Sequence, residues 1–504
     1  MKKNLLLMTL LLCSLRAWSL EMPEIFSDHM MLQQNTEARL WGWAEKDALV
    51  KVITGWNGVE YSSKSDKKTG RWELKVKTPK ASYDTYSITV EADGQTVTIS
   101  DVLIGEVWFC SGQSNMEMPL QGFWNCPVEG ANETIAMSGK YKHAIRCATI
   151  AKEGAQMPKD KVSGKWAVCE PKNAALFSAC GYYFAQTLTE LLDVPVGIIN
   201  CSWGGSCVEG WLPKDTLLTY PDGLIPIDDT DYHAKMIMFN GMLYPLAGYT
   251  IKGFLWNQGE SNVGREKEYI DRFATMTRLW RTMWRQPDDN LPIYAVELPP
   301  YRYGTIDGEE GPSFRAAQHE IAKVLEHYGC VCTSDLIYDY EPDQIHGCKK
   351  KEIGQRLAYM AATRDYGMEG IAAEAPEFEY FTETVASADD NAVVAGSKVS
   401  SPAMKMQVDK VYQLYFTNSV DGFDRMADIA DFEAQDAEGR WHPAVVWASS
   451  AWQNVERQGC FLKLACPEAK EVKAIRYCYK NFIRGKLHNM RGLPVVPFCS
   501  ARGL

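Results

Sequence analysis

The chain has 504 residues, of which 46% are hydrophobic and 11% are aromatic. This length predicts two or three domains, and the apolar content excludes an intrinsically disordered chain. The formal net charge at pH 7 is -11, and the sequence has no run of basic residues. The charge pattern therefore excludes the electrostatic footprint of a nucleic-acid-binding protein.

The first 20 residues are predicted to be a signal peptide. Lys2 and Lys3 give a positive start, residues 5–12 form a short apolar core, and residues 17–19 occupy the cleavage positions. The apolar run is too short to span a bilayer. We therefore expect a periplasmic or extracellular product without stable membrane insertion. Lipid attachment at Cys13 is not favoured, because Leu12 is bulkier than the residue that normally precedes a lipidated cysteine. The sequence does not indicate an oligomeric state.

Fifteen cysteines are many for an exported chain. They suffice for several disulfides, whose connectivity sequence alone does not give. Several lie inside apolar strand patterns, where a buried free thiol is the ordinary interpretation: Cys110, Cys147, Cys330 and Cys332. No CxxC pair is matched by a second pair at zinc spacing, and the eight histidines are scattered. We therefore predict no metal site and no cofactor.

Three regions follow the signal peptide. Residues 21–100 alternate short apolar segments with turn signals such as Asn57-Gly58 and Asp93-Gly94, a pattern typical of a small β-sandwich. Residues 101–370 alternate strands with helix-period segments, which predicts an α/β domain of three layers, α/β/α, with a mainly parallel sheet. Residues 371–504 return to β patterning, which predicts a second, carboxyl-terminal β domain.

One stretch at the start of the α/β region carries the chemistry. Residues 106–110 form an apolar run that predicts a buried strand, and residues 111–115, SGQSN, are small and polar. α/β enzymes place an exposed nucleophile where such a strand ends before a helix. Ser114 is the candidate nucleophile. Taken alone, the same residues are more typical of a polar turn.

Three later stretches supply partners for this serine: residues 200–205 (NCSWGG), 256–262 (WNQGESN) and 343–346 (DQIH). A serine hydroxyl needs a base during attack. His346 is the candidate base, and Asp343, three residues earlier, could fix its tautomer. A lone DxxH is more often a surface turn or helix start. The combination with the other stretches reverses that interpretation, and the other seven histidines lack such a setting.

In this order the four stretches closely resemble the SGNH (GDSL-like) hydrolases, and within them the sialate O-acetylesterase group of carbohydrate esterases. The resemblance runs from about Pro23 to the end of the chain. It includes the segment 487–498, which we expect to pack back toward the active site. It implies a metal-free serine esterase with a three-layer catalytic domain.

The resemblance also implies an oxyanion hole. Its donors are the backbone N–H groups of Ser114 and of a glycine in SWGG, Gly205 rather than Gly204, together with the side chain of Gln258. Asn257 is the alternative to Gln258. The glycines could instead merely permit a tight turn, and Gln258 could merely cap a strand end. Further residues are candidates for substrate or loop contacts: Gln113, Asn115, Trp203, Asn257 and Glu260. The role of Glu260 stays open between orienting its loop and binding substrate.

The favoured function is an exported serine esterase that removes O-acetyl groups from sialic acids through an acetyl-serine intermediate. The alternatives are an acetylxylan- or pectin-type acetylesterase, a non-catalytic glycan-binding protein, and a lipase, against which the absence of a long apolar lid counts. Trp203, Trp256 and Met116 lie beside the motifs in sequence and predict a small acyl pocket. Arg315 and Arg356 could meet a sialic acid carboxylate, although both lie in helical patterns where a solvated arginine is more common.

Overall fold

The computed structural model describes residues 20–222, 234–285, 290–397, 407–419, 422–424, 429–448 and 462–501. The predicted signal peptide therefore lies outside the described residues, except for Leu20.

Strands dominate both ends of the chain, and helices are concentrated between residues 114 and 364. The strands are β1 (Met31–Gln33), β2 (Glu37–Trp43), β3 (Leu49–Thr54), β4 (Glu60–Lys64), β5 (Arg71–Lys77), β6 (Ser82–Ala92), β7 (Gln95–Gly112), β8 (Ile145–Thr149), β9 (Trp166–Val168), β10 (Val196–Ser202), β11 (Gly253–Asn257), β12 (Ile293–Val296), β13 (Tyr328–Val331), β14 (Phe378–Val385), β15 (Lys410–Phe416), β16 (Phe432–Gln435), β17 (Trp441–Pro443), β18 (Val445–Ala448), β19 (Leu462–Ala465), β20 (Ala474–Tyr477) and β21 (Phe498–Cys499). The α-helices are α1 (Ser114–Glu117), α2 (Ala131–Met137), α3 (Pro171–Ala174), α4 (Ala179–Leu192), α5 (Lys214–Leu217), α6 (Glu266–Trp284), α7 (Glu310–Glu320), α8 (Lys350–Arg364) and α9 (Ala388–Ala395).

The strand β7 joins the first two regions. Its first half pairs antiparallel with β6 across a tight turn in which Asp93 and Gly94 both have positive φ, as the turn signal predicts. Its second half pairs in parallel with β10 and β11. The predicted domain boundary at residue 101 therefore falls within one continuous strand. Asp101, with φ 53°, lies at a register shift in the β6–β7 pairing, between the pairs Ile88–Ile99 and Tyr86–Val102.

The central sheet has the order β13-β12-β11-β7-β10-β8-β9, parallel throughout except for the antiparallel edge strand β9. Both faces are covered. Trp108 and Cys110 of β7 belong to the hydrophobic cluster that includes buried residues of α4 and α8, whereas Phe109 belongs to the cluster that includes those of α6. This alternation is what burial on both faces requires. The prediction of an α/β domain with a mainly parallel sheet is confirmed.

The flanking regions are built from antiparallel sheets. Toward the amino end, β3, β4 and β6 extend the sheet that contains the first half of β7, and β2 pairs with β5. Toward the carboxyl end, the described strands form two four-stranded sheets, β14-β15-β19-β18 and β17-β16-β20-β21. The alternating patterns did not predict four of these strands: β4, β14, β17 and β21. The sandwich arrangement of both regions stays a prediction.

The carboxyl-terminal segment returns to the catalytic domain just after β13. The Gly485 N–H donates to the Ser334 carbonyl at 2.9 Å, and His488 Nε2 lies 3.2 Å from the Asp335 carboxylate. Burial would raise the pKa of Asp335, but hydrogen bonds from Arg356 and His488 lower it to about 2. The tail thus supports the segment that leads to the loop carrying His346.

Candidate active site

The predicted nucleophile lies at the carboxyl end of β7. Gly112 has φ 132°, and a Cβ atom there would lie 2.2 Å from the Asn257 carbonyl oxygen, so only glycine permits this approach to the end of β11. The Gln113 N–H donates to that carbonyl at 2.9 Å, and the chain then turns into α1. Ser114 is partly exposed. Among the described residues, neither its hydroxyl nor its backbone N–H has a hydrogen-bond partner.

The SWGG turn (residues 202–205) lies directly against this serine. A Cβ atom added to Gly204 would lie 3.3 Å from the Ser114 Cβ. The Gly204 N–H donates to the Glu117 carboxylate at 2.7 Å, so it is already used. Gly205 has φ 80°, and its N–H has no partner among the described residues. Of the two glycines, Gly205 therefore offers the free donor, which agrees with the prediction.

Gln258 does not have the free donor that its predicted role requires. Its Nε2 donates to the Ser206 carbonyl at 3.0 Å and to Asn262 Oδ1 at 2.7 Å. The orientation of Asn262 is fixed in turn, because its Oδ1 accepts the Val208 N–H and its Nδ2 donates to Glu209. Both N–H groups of the Gln258 amide are therefore committed. In the structure this side chain tethers Ser206, the residue after the SWGG turn, instead of facing an oxyanion.

Asn257, the alternative donor, points away from Gln258, as neighbouring strand residues do. Its Nδ2 lies 3.9 Å from the thiol of Cys180 on α4. The remaining motif residues pack within the loops. Gln113 Oε1 accepts the backbone N–H groups of Gly259 and Ser261, and Glu260 Oε1 accepts Asn115 Nδ2 at 2.5 Å. Glu260 thus joins two of the predicted motifs.

A hydrogen bond between the residues next to Ser114 and His346 joins the loops that carry them. Asn115, which follows Ser114, donates from Nδ2 to the carbonyl of Ile345, which precedes His346, at 3.1 Å. His346 Nδ1 lies 3.8 Å from the Cys126 thiol, and among the described residues its Nε2 has no partner. Burial, followed by the nearby Lys350 cation, lowers the pKa of His346 to about 4. The imidazole is therefore neutral, as a general base must be, at neutral pH.

Asp343 does not hold the imidazole in this structure. Its carboxylate lies 2.6 Å from the Arg302 guanidinium, and its side chain is 66% exposed. The expected hydrogen bond to His346 is not formed among the described residues, because Arg302 on the neighbouring loop engages the carboxylate. The third member of the triad therefore stays a prediction.

The residues proposed for the acyl pocket separate in the structure. Trp256 and Met116 are fully buried core residues, and the Trp256 indole N–H donates to the Tyr269 hydroxyl. Only Trp203 stays partly exposed beside the turn. The prediction of a small pocket thus loses two of its three residues, because sequence adjacency does not say toward which core a side chain points.

Neither arginine suggested for a substrate carboxylate is available. Arg356 makes a buried bidentate pair with Asp335 at 2.7 and 2.8 Å. Arg315 is fully buried and donates to the Lys480 carbonyl at 2.9 Å. Arg302, which pairs with Asp343, is the more accessible arginine, since its side chain is 46% exposed.

Sequence reasoning also missed Glu117 and Lys350. Glu117 lies within one turn of the nucleophile, but nothing in its spacing indicates a contact with Gly204. Lys350 did leave a signal: it stands three and seven residues before Ile353 and Leu357, in line with the buried face of α8. A lysine in an apolar stripe is rare enough to be informative.

Eleven of the described cysteines, all except Cys207 and Cys499, are free thiols. Within the described ranges, no three His, Cys, Asp or Glu side chains are grouped as a metal site requires. No helix in the described part of the chain is long and apolar enough to cross a membrane.

The chain is similar in sequence to known carbohydrate esterases. The family described as carbohydrate esterase, sialic acid-specific acetylesterase matches residues 104–363, just over half of the chain. The sialate O-acetylesterase of Homo sapiens is 26% identical over 395 residues, covering 70% of this chain and 72% of the relative. The sialate O-acetylesterase of Rattus norvegicus is 24% identical over 407 residues, covering 69% of this chain and 74% of the relative.

A solved structure extends the likeness beyond the catalytic domain. A carbohydrate acetylesterase from Xanthomonas citri superposes with a TM-score of 0.79 at 26% identity, covering 96% of this chain and 99% of that one. The protein is therefore a carboxylic ester hydrolase with an α/β catalytic domain. More particularly, the chain belongs to the sialic acid-specific acetylesterase family of carbohydrate esterases.

The contacts of Gln258 and Asn257 predict unequal mutants. Gln258→Ala removes the tether at Ser206 and lets the turn that carries Gly205 move, so we expect kcat to fall roughly 100-fold with KM little changed, an effect comparable to the loss of one oxyanion donor. Asn257→Ala is the matched control on the neighbouring residue, and we expect a milder loss. Steady-state kinetics on one acetyl ester compare them. If Asn257→Ala instead loses most of its kcat and Gln258→Ala stays near wild type, Asn257 and not Gln258 is the residue that supports the oxyanion hole.

Asp343 and Arg302 can be separated in the same assay. We expect Asp343 to exchange Arg302 for the imidazole once His346 becomes cationic during the reaction, because the opposite charge then attracts the carboxylate. Asp343→Asn should lower kcat at least 100-fold, whereas Arg302→Ala should lower it less than 10-fold. Equal and small losses in both variants would show that the ion pair observed here persists during turnover.

Proposed function

We propose that this enzyme removes O-acetyl groups from carbohydrates, sialic acids foremost, through an acetyl-serine intermediate. One observation carries the proposal: among the described residues, the backbone N–H groups of Ser114, at the start of α1, and of Gly205, in the adjoining turn, have no hydrogen-bond partner, and neither has the Ser114 hydroxyl. Both residues are partly exposed, so their N–H groups are accessible to a ligand. Two such donors beside a serine suit the oxyanion of a tetrahedral intermediate.

The reaction has two steps. Ser114 Oγ attacks the acetyl carbonyl carbon while His346 Nε2 takes the hydroxyl proton, and the negative charge forms on the carbonyl oxygen between the two N–H groups. Collapse expels the sugar oxygen, which receives the proton from His346. Water, deprotonated by the same imidazole, then attacks the acetyl-serine and releases acetate. The serine recovers its proton, and no other reactant is consumed.

The sialate preference rests on the relatives, two of which are named sialate O-acetylesterases. The structural neighbour is named more broadly, as a carbohydrate acetylesterase. Acetylated plant glycans therefore remain the second candidate substrates. Export of the protein is a proposal from residues 1–20 alone, and N-terminal sequencing of the mature protein tests it.

Active-site labelling tests the mechanism. A serine-directed phosphonate should modify Ser114 and abolish turnover of p-nitrophenyl acetate, while Ser114→Ala should take up no label. A panel of O-acetylated sialic acids, acetylated xylo-oligosaccharides and octanoate esters then tests the substrate. We expect acetate release from the sialic acids to have the highest kcat/KM. Inhibition by chelators but not by the phosphonate would contradict the serine mechanism, and preference for octanoate would indicate a lipase.

A further inference from the structure

A two-residue hairpin presents one tryptophan to solvent beside the site. Phe123 and Cys126 exchange two backbone hydrogen bonds, both 3.0 Å long, and Trp124 and Asn125 form the turn between them. Asn125 has φ 58°, a left-handed conformation that asparagine adopts more readily than most residues. The Trp124 side chain is 90% exposed. No other tryptophan in the described ranges is among the exposed large hydrophobic residues.

Both flanks of this hairpin contact the loop of the catalytic base. The Phe123 ring packs edge-on against the His346 ring, with centroids 5.3 Å apart. The Cys126 thiol lies 3.8 Å from His346 Nδ1, and Gln344 Nε2 donates to the Asn125 carbonyl at 3.5 Å. The hairpin that carries the exposed indole is therefore anchored beside the base.

We propose that the Trp124 indole is a binding platform for a sugar ring of the acetylated glycan substrate. This inference rests on the proposed function. The apolar C–H face of a pyranose carries partial positive charge, which complements the negative face of an aromatic ring. A tryptophan side chain has only two rotatable torsions, so it loses little conformational entropy when a ring stacks on it. The platform lies beyond the scissile ester, so it acts on glycan binding and not on the acetyl group.

The test compares Trp124→Ala with Trp124→Phe on a mono-O-acetylated sialyl oligosaccharide and on p-nitrophenyl acetate. In Trp124→Ala we expect KM for the oligosaccharide to rise roughly 3- to 10-fold, and the ratio of kcat/KM for the oligosaccharide to that for p-nitrophenyl acetate to fall accordingly. Trp124→Phe keeps an aromatic face and should recover most of the loss. Tyr380→Ala, an exposed aromatic on β14, is the control.

Two results overturn the platform. One is an unchanged oligosaccharide KM in Trp124→Ala while the wild type hydrolyses that substrate. The other is an equal loss on both substrates, which would indicate a displaced hairpin. If the wild type releases no acetate from any acetylated sugar, the proposed function fails first, so the two failures are distinguishable.

A separate observation concerns a buried lysine behind the nucleophile. Lys350, at the start of α8, is 2% exposed, and its Nζ donates to Asn115 Oδ1 at 2.6 Å. The Asn115 amide then donates to Glu260 Oε1 at 2.5 Å and to the Ile345 carbonyl at 3.1 Å. An ammonium on one side and two acceptors on the other leave only one orientation for this amide.

Through Asn115 the lysine connects the elements of the site. Asn115 follows the nucleophile in sequence, Ile345 precedes the base, and Glu260 belongs to the WNQGESN stretch. We infer that Lys350 is a positioning residue that fixes Asn115 and thereby the spacing between Ser114 and His346. Its ammonium donates the hydrogen bond that the buried Asn115 carbonyl oxygen would otherwise lack.

The lysine also sets the charge around the base. Burial lowers the pKa of Lys350 and raises those of the facing thiols of Cys180 and Cys348, which therefore stay neutral. Burial likewise raises the pKa of Glu260, which shares Asn115 with the lysine and also interacts with the Lys350 charge directly. Cys126 is the titratable group within 4 Å of the imidazole ring nitrogens in the described part of the chain. A cation at Lys350 disfavours the imidazolium, so its removal raises the pKa of His346.

Lys350→Met and Lys350→Gln, with Lys349→Met as the neighbouring control, test the assignment. Lys350→Met should lower kcat for p-nitrophenyl acetate roughly 10- to 100-fold with little change in KM, because the reacting groups are misplaced. The acid limb of kcat/KM, near pH 4 in the wild type, should move to higher pH. Lys350→Gln keeps a hydrogen-bond donor for Asn115 but lacks the charge. Its kcat should therefore return toward the wild-type value, while its acid limb of kcat/KM should stay at the higher pH.

Lys349 lies over the Tyr338 ring at 4.3 Å and does not contact Asn115, so Lys349→Met should leave both readouts unchanged. If Lys350→Met does not fold, the acid limb of kcat/KM in Lys350→Gln alone tests the inference. A lysine with a merely structural role would not move that limb. An acid limb that stays near pH 4 in a folded Lys350→Gln overturns the inference.

Discussion

The close approach of β7 to its two neighbours is the constraint on which the site depends. Gly112 is paired with Ser202 of β10 on one side and with Asn257 of β11 on the other. Its carbonyl accepts the Trp203 N–H at 3.0 Å. Any side chain at residue 112 would collide with the Asn257 backbone. Because three strands end together at this point, their three polar loops share one sheet edge, as ligand sites of parallel sheets do.

Buried polar contacts then hold these loops more tightly than strand pairing could. Glu117 takes up the Gly204 N–H, and Ser261 donates its hydroxyl to the Gly205 carbonyl at 2.7 Å. Gln258 binds the next residue, Ser206. These contacts use the Gly204 N–H and the Gly205 carbonyl, whereas the Gly205 N–H has no partner in the described part of the chain. Such preorganised donors need no rearrangement when charge develops on the substrate.

The protonation state and the position of His346 depend on other contacts. Burial and the Lys350 cation keep His346 neutral, while the Phe123 ring and the Cys126 thiol fix its position. Asp343, exposed and paired with Arg302, contributes nothing to the imidazole in this arrangement. The site thus holds a neutral base before the substrate binds. A negative charge that stabilises the imidazolium must come into place during the reaction.

The sequence by itself determined the α/β class, the positions of most of the strands and the four motifs, because apolar periodicity and turn residues act locally. It also favoured Gly205 over Gly204 through family resemblance. Only the tertiary structure decided which donors are free. The commitment of Gln258 to Ser206 and Asn262, the pairing of Asp343 with Arg302 and the burial of Trp256 and Met116 all depend on residues distant in the chain. The roles of Lys350 and Trp124 depend on such contacts too: side-chain direction and hydrogen-bond satisfaction are set by which loops the strands bring together, and no local pattern encodes that.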